Sequence, residues 1–206
     1  MSDARLYLAT PVLLDAAAFL PQLEAALSQG GVASLLVRLG TSDETAAKRV
    51  IGEIARPTQD RGVAVVIDGK PQLALEADVD GAQVRGCGEE LTRAIKLLSP
   101  SHIVGAGALS TRHDAMVAGE AGADYLLFGD DGGAEDFAAL QERVRWWSQL
   151  FTTPCVALAR GDAEIAALTN AGADFLMLGD YVWSDPRGPA AAVAQARRIL
   201  AEIEDA

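Results

Sequence analysis

Six charged residues stand where short apolar runs of this chain end. Arg38, Arg85 and Arg160 close three of them, and Asp68, Asp130 and Asp180 close three others. A guanidinium fork matches the oxygens of a phosphate or a carboxylate in pairs. A carboxylate can hold a divalent cation or move a proton. Gly107 ends a further run, where the missing side chain leaves room. Gathered on one face, these residues would make a site for an anionic small molecule, with Asp68, Asp130 and Asp180 as the acid–base candidates. The same charges could instead pair with one another or sit on helix N-termini, which welcome carboxylates.

Other reactive types are weaker candidates. Cys87 lies between Gly86 and Gly88, but neither His102 nor His113 has a sequence tie to it that would make a thiolate nucleophile. His113 falls in the first turn of a helix, either as a neutral donor or as a solvated surface group. Trp146, Trp147 and Phe151 at one helix end read as packing or a subunit contact. The segments Ala159-Arg160-Gly161-Asp162 and Gly179-Asp180-Tyr181 have no Gly-Gly pair to bring backbone amides onto a phosphate. Arg160 would have to supply the charge there, against Asp162 and Asp180.

These residues need a frame, and a repeat announces it. AGADYLLFGD at 121–130 returns fifty residues later as AGADFLMLGD at 171–180, with a weaker echo, ADVDGAQV, at 77–84. Each copy reads as a helix end, a tight turn, a short apolar strand and a polar stop, which is the joint of an αβ unit. Strands are expected at 5–11, 33–39, 63–68, 81–85, 102–108, 124–130, 154–159 and 174–180. Pro11 should stop the first. Helices are expected at 15–30, 42–60, 71–76, 89–98, 111–122, 135–150, 162–170 and 189–203, with Asp15, Ser42 or Asp43, Ser110 or Thr111, and Asp162 as caps. Asp131-Gly132-Gly133 reads as a loop. Strict alternation of β and α with short buried strands implies a parallel sheet, and eight units close as a (β/α)8 TIM barrel, one domain over 1–206. An open doubly wound sheet is the alternative. In a barrel the charged stops all fall at the C-terminal ends of the strands, the working face of that fold.

Composition narrows the partners. Half of the 206 residues are hydrophobic, enough for a full core. A net charge of −12 disfavours nucleic acid and anionic membrane surfaces. No apolar run reaches the roughly 20 residues of a membrane helix, and the first residues lack a signal-peptide layout. Two isolated cysteines fit a reduced cytoplasm, and with two histidines they make a structural zinc site unexpected.

Across nearly its whole length the chain resembles the thiamine phosphate synthases and their thiazole tautomerase relatives. The likeness rests on LYLATP, GVASLLVR (31–38), VAVVIDGKPQLALEADVDGAQV (63–84), IVGAGALSTRHDAMVAGEAGADYLLFGD (103–130) and AGADFLMLGD. The resemblance implies a compact (β/α)8 barrel, commonly dimeric, that joins a pyrimidine pyrophosphate to a thiazole phosphate with Mg²⁺ and releases pyrophosphate. It also implies departures. The Arg-Glu-Lys signature reads Arg38-Leu39-Gly40, and the Asn-Asp motif reads Asp68-Gly69. The family histidine is Gln83, and the following Gly-Gln and metal aspartate read Arg85-Gly86 and Gly88. The serine after strand five is Gly107, the Thr-x-x-Thr-Lys loop reads Asp130-Asp131-Gly132-Gly133, and the Gly-Gly pair is Ala159-Arg160. The expectation is therefore a diverged member of low or no synthase activity. It would bind a small molecule, phosphorylated or not, through Arg38, Arg85, Arg160, Gln83 and Gly107, need Mg²⁺ only if synthase activity is kept, and could form a homodimer. The alternative is an active enzyme with a rebuilt site.

Overall fold

The computed structural model describes residues 4–130 and 136–204. Its strands are β1 (Arg5–Leu13), β2 (Val32–Leu39), β3 (Ala64–Asp68), β4 (Gly81–Arg85), β5 (Ile103–Gly107), β6 (Tyr125–Phe128), β7 (Cys155–Leu158) and β8 (Phe175–Leu178). All neighbours pair in parallel and in chain order, and β8 pairs back onto β1, so the sheet is a closed barrel. That closure rules out the open doubly wound sheet.

Strand alternation divides the core in two. Tyr7, Ala9, Leu36, Val66, Tyr125, Leu127, Val156 and Met177 form one buried cluster, the lumen. Their neighbours along each strand, such as Leu6, Leu8, Leu35 and Val37, belong to the larger cluster under the helices. Both faces of each strand are therefore buried, which is why the strands read as near-continuous apolar runs.

The repeat has a physical function. In its three copies Asp80, Asp124 and Asp174 each stand just before an even-numbered strand. Each carboxylate accepts the backbone N–H near the start of the preceding odd strand: Val65 at 2.7 Å, Val104 at 2.7 Å and Cys155 at 2.8 Å. The turn before each aspartate is left-handed, at Gly122 (φ 96°), Gly172 (φ 97°) and, in the weak echo, Asp78 (φ 52°). Aspartate tolerates that region better than most side chains, so the echo keeps the joint without its glycine. Val79, Ala123 and Ala173 follow, all buried.

The helices are α1 (Leu20–Leu27), α2 (Glu44–Gln59), α3 (Pro71–Glu76), α4 (Glu89–Leu98), α5 (Arg112–Glu120), α6 (Phe137–Leu150), α7 (Asp162–Asn170), α8 (Asp180–Trp183) and α9 (Pro189–Glu204). Asp43 caps α2 through Ala46 N–H, and Thr111 with Asp114 forms a capping box on α5.

Four expectations change. β1 runs past Pro11 because its register against β2 shifts between Ala9 and Val12, so the missing N–H falls outside the ladder. The first helix begins only at Leu20. Asp15 instead accepts Ala17 N–H in a turn and pairs with Arg49 at 3.2 Å. Asp162 is the first residue of α7 and not its cap, which is Gly161. The short α8 follows β8 directly. The Asp131-Gly132-Gly133 loop and Glu135, the expected start of the sixth helix, lie outside the described residues. Among the described residues no helix is long and apolar enough to cross a membrane.

Candidate active site at the barrel mouth

The charged residues lie at or just beyond the C-terminal ends of the strands. Asp130 turns inward. Its Oδ1 accepts Ala108 N–H at 2.6 Å, its Oδ2 lies 3.5 Å from Arg85 Nη1, and Arg85 Nη2 donates to its carbonyl at 3.2 Å. Two backbone features allow this. A Cβ on Gly107 would fall 2.6 Å from Asp130 Oδ2, so only glycine leaves that space. Ala108 takes φ 54°, a left-handed conformation costing an alanine about 1–2 kcal/mol, and thereby stands its N–H against the carboxylate. The Asp130 side chain is only 5% exposed, and burial raises its pKa, opposed by Ala108 N–H and Arg85 and reinforced by Asp68.

Asp68 faces the same mouth. Arg38 Nε lies 4.0 Å from its Oδ2, a long pair, and its buried Oδ1 has no hydrogen-bond partner among the described residues. Burial raises its pKa too, against the attraction of Arg38 and Arg85. Two carboxylates that both favour the proton more than usual, flanked by two guanidinia, can donate or accept protons.

Gln83 is 1% exposed and lies in the barrel lumen. Its Oε1 accepts the Tyr125 hydroxyl at 3.0 Å, and the Tyr125 and Tyr7 hydroxyls are 2.8 Å apart. Burial pushes both phenol pKa values upward, so both stay protonated. Gly105 makes room for this, since a Cβ there would meet the Tyr125 ring at 2.1 Å.

A cavity of about 250 Å3 opens beside these groups, lined by Arg38, Arg160, Gly179, Asp180 and Tyr181 among others. Arg160 is exposed. Its Nη2 donates to Gly129 carbonyl at 3.2 Å, and no described carboxylate lies within ion-pair distance of its guanidinium. Asp162, which would oppose an anion here, is engaged by the Tyr181 hydroxyl at 2.7 Å and by Gln195 at 3.1 Å. Asp180 starts α8 at the cavity edge. A second cavity, of about 230 Å3, lies at the opposite barrel end among Arg5, Ile103 and Phe175, and is mostly apolar.

The mouth thus collects Arg38, Asp68, Gln83, Arg85, Gly107, Asp130, Arg160 and Asp180. Tyr7, Tyr125 and Ala108 were not singled out from sequence. The tyrosines carried a signal, a polar-tipped ring at an inward strand position, whereas the Ala108 conformation carried none. The remaining candidates take no part in these contacts. Burial and Asp114 push the Cys87 thiol up, away from a reactive thiolate. His113 is exposed on α5. Trp147 is buried on Phe128 and stacks on Phe151, so it is helix-to-barrel packing. Trp146 lies beside both and under the Arg112 guanidinium.

Residues 6–182 match the family model described as thiamine monophosphate synthase. The chain is 41% identical over 206 residues to a thiamine-phosphate synthase of Rhodospirillum centenum, covering 97% of this chain and 99% of that one. It is 39% identical over 199 residues to one of Hyphomonas neptunium, covering 92% and 90%. Among solved structures, a thiamine phosphate pyrophosphorylase from Pyrococcus furiosus superposes with a TM-score of 0.82 over 98% of both chains at 20% identity, a likeness of fold.

Proposed function

The chain belongs to the thiamine monophosphate synthase family, and from the make-up of its barrel mouth we propose that it binds a phosphorylated small molecule of the kind this family joins, with slow or no coupling of the two substrates. The observation that carries the binding half is the cavity between Arg38 and Arg160. One guanidinium there has only a carbonyl partner and the other a carboxylate at 4.0 Å, so both can turn to a phosphate at small cost.

The slow-turnover half is supported by the carboxylates. Displacing pyrophosphate requires its charge to be neutralised and its leaving oxygen positioned. The family's Mg²⁺ does not fit this mouth as it stands. Asp68 and Asp130 each lie beside an arginine that a cation would have to displace before either carboxylate could hold it together with substrate phosphates. The protein's own groups supply charge through Arg38, Arg85 and Arg160 and proton transfer through Asp68 and Asp130.

A second reading, an active synthase with a rebuilt site, is favoured by the names and near-full coverage of the two relatives. One experiment separates the two. The protein is titrated calorimetrically with thiazole phosphate and with hydroxymethylpyrimidine pyrophosphate, with and without Mg²⁺, and pyrophosphate release is then followed. Metal-independent binding without release supports the first reading. Metal-dependent binding with turnover supports the second, and binding of neither overturns both.

A further inference from the structure

The buried amide of Gln83 has one engaged end and one open end. Oε1 accepts the Tyr125 hydroxyl, while Nε2 has no hydrogen-bond partner among the described residues although the side chain is 1% exposed. Nε2 lies 3.3 Å from the point where a Gly107 Cβ would sit, and Asp130 Oδ2 lies 2.6 Å from that same point. The open end therefore faces the mouth.

Proton counting fixes the direction of the chain. An amide oxygen only accepts, so Tyr125 spends its single proton on Gln83 and must accept from Tyr7. The reversed amide would turn its oxygen toward the Asp130 carboxylate, acceptor against acceptor.

We infer that Tyr125 is a positioning residue that holds Gln83 with its N–H toward the mouth, so that the site selects a ligand presenting a hydrogen-bond acceptor to that N–H, such as a ring nitrogen or a phosphoryl oxygen. The inference rests on the ligand-site reading above and extends it from charge to hydrogen-bond polarity. Unlike Asp68 Oδ1, Nε2 is not sealed from solvent, so it reaches the mouth, where a ligand acceptor can take its hydrogen bond in place of water.

Tyr7 provides the control. In Tyr7→Phe, Tyr125 keeps its proton on Gln83, so the amide stays oriented. In Tyr125→Phe the amide is free to reverse. Both variants delete one buried hydroxyl from the same lumen, so a merely structural role would affect them alike.

The test uses the full chain, labelled with nitrogen-15, and inorganic pyrophosphate and thiazole phosphate as probes. The Gln83 side-chain amide signals are identified by their loss in Gln83→Leu. Thermal midpoints verify that each variant is folded. Tyr125→Phe is expected to weaken probe binding by about five- to tenfold and Tyr7→Phe by less than about twofold. In the Gln83→Leu background Tyr125→Phe should cost nothing more, as required of a residue acting through Gln83. Equal losses in Tyr7→Phe and Tyr125→Phe, or an undiminished loss in the Gln83→Leu background, overturn the inference. If the unmodified protein binds neither probe, the ligand-site reading fails and the amide signals decide alone. A Gln83 pair shifted by Tyr125→Phe but not by Tyr7→Phe then supports the clamp, and a pair unmoved by Tyr125→Phe overturns it.

Discussion

Replacing Asp124 by alanine tests whether the repeated joint holds the barrel through its carboxylate. Asp124 Oδ2 accepts Val104 N–H at 2.7 Å, and Val104 is fully buried. The alanine leaves that donor with no acceptor, a cost of about 1–3 kcal/mol. Asparagine keeps an acceptor oxygen of the same reach and should cost under about 1 kcal/mol. The corresponding Asp174→Ala should resemble Asp124→Ala, since Cys155 is equally buried. Asp80→Ala should cost more than either, because Asp80 Oδ2 also accepts Gln59 Nε2 at 2.8 Å. A loss of about 2 kcal/mol corresponds to a thermal midpoint lower by about 4–8 °C in a chain of this size. In urea it moves the midpoint by about 0.7–2 M at an unchanged slope of about 1–3 kcal/mol per molar. The assays are urea unfolding of each variant and hydrogen exchange at Val65, Val104 and Cys155, where only the amide facing the altered aspartate should lose protection beyond the global change. An alanine variant within about 0.5 kcal/mol of the unmodified protein, or an asparagine variant as damaged as the alanine one, would refute the reasoning.

Three further outcomes are expected. Arg160→Ala should weaken binding of thiazole phosphate in calorimetry by about tenfold or more while leaving the thermal midpoint nearly unchanged, since a charged hydrogen bond to phosphate is worth about 1.5–3 kcal/mol and the side chain is exposed. Burial raises the folded pKa of Asp130 above the ordinary 3.8, so the folded state holds this proton more tightly than the unfolded chain. Its stabilisation is complete below 3.8 and is lost as pH rises through the folded value, so the stability of the unmodified protein relative to Asp130→Asn should fall with rising pH across that window in urea titrations. Gly105→Ala should lower stability by about 1–3 kcal/mol or prevent folding, because its Cβ would meet the Tyr125 ring at 2.1 Å; thermal unfolding reads it directly.

Local sequence pattern was enough to specify the barrel. The AGAD repeat, the βα alternation and the charged stops are local patterns, and strand, turn and cap preferences act over a few residues. Even the weak echo at Ala77 proved to be the same joint, with Asp78 in the glycine's left-handed place. Family membership was legible for the same reason, because the joints and buried strands stand in the order the family uses. Local pattern misled at Asp15 and Asp162, good capping residues whose side chains found better partners in Arg49 and in Tyr181 with Gln195.

What happens inside the mouth was decided only by closure of the sheet. Arg85 meets Asp130 across 45 residues, and Tyr7 meets Tyr125 across 118. No local propensity encodes such pairs. They arise because a closed barrel turns alternate residues of every strand onto one axis, where the missing side chains of Gly105 and Gly107 leave the space that Tyr125 and Asp130 fill.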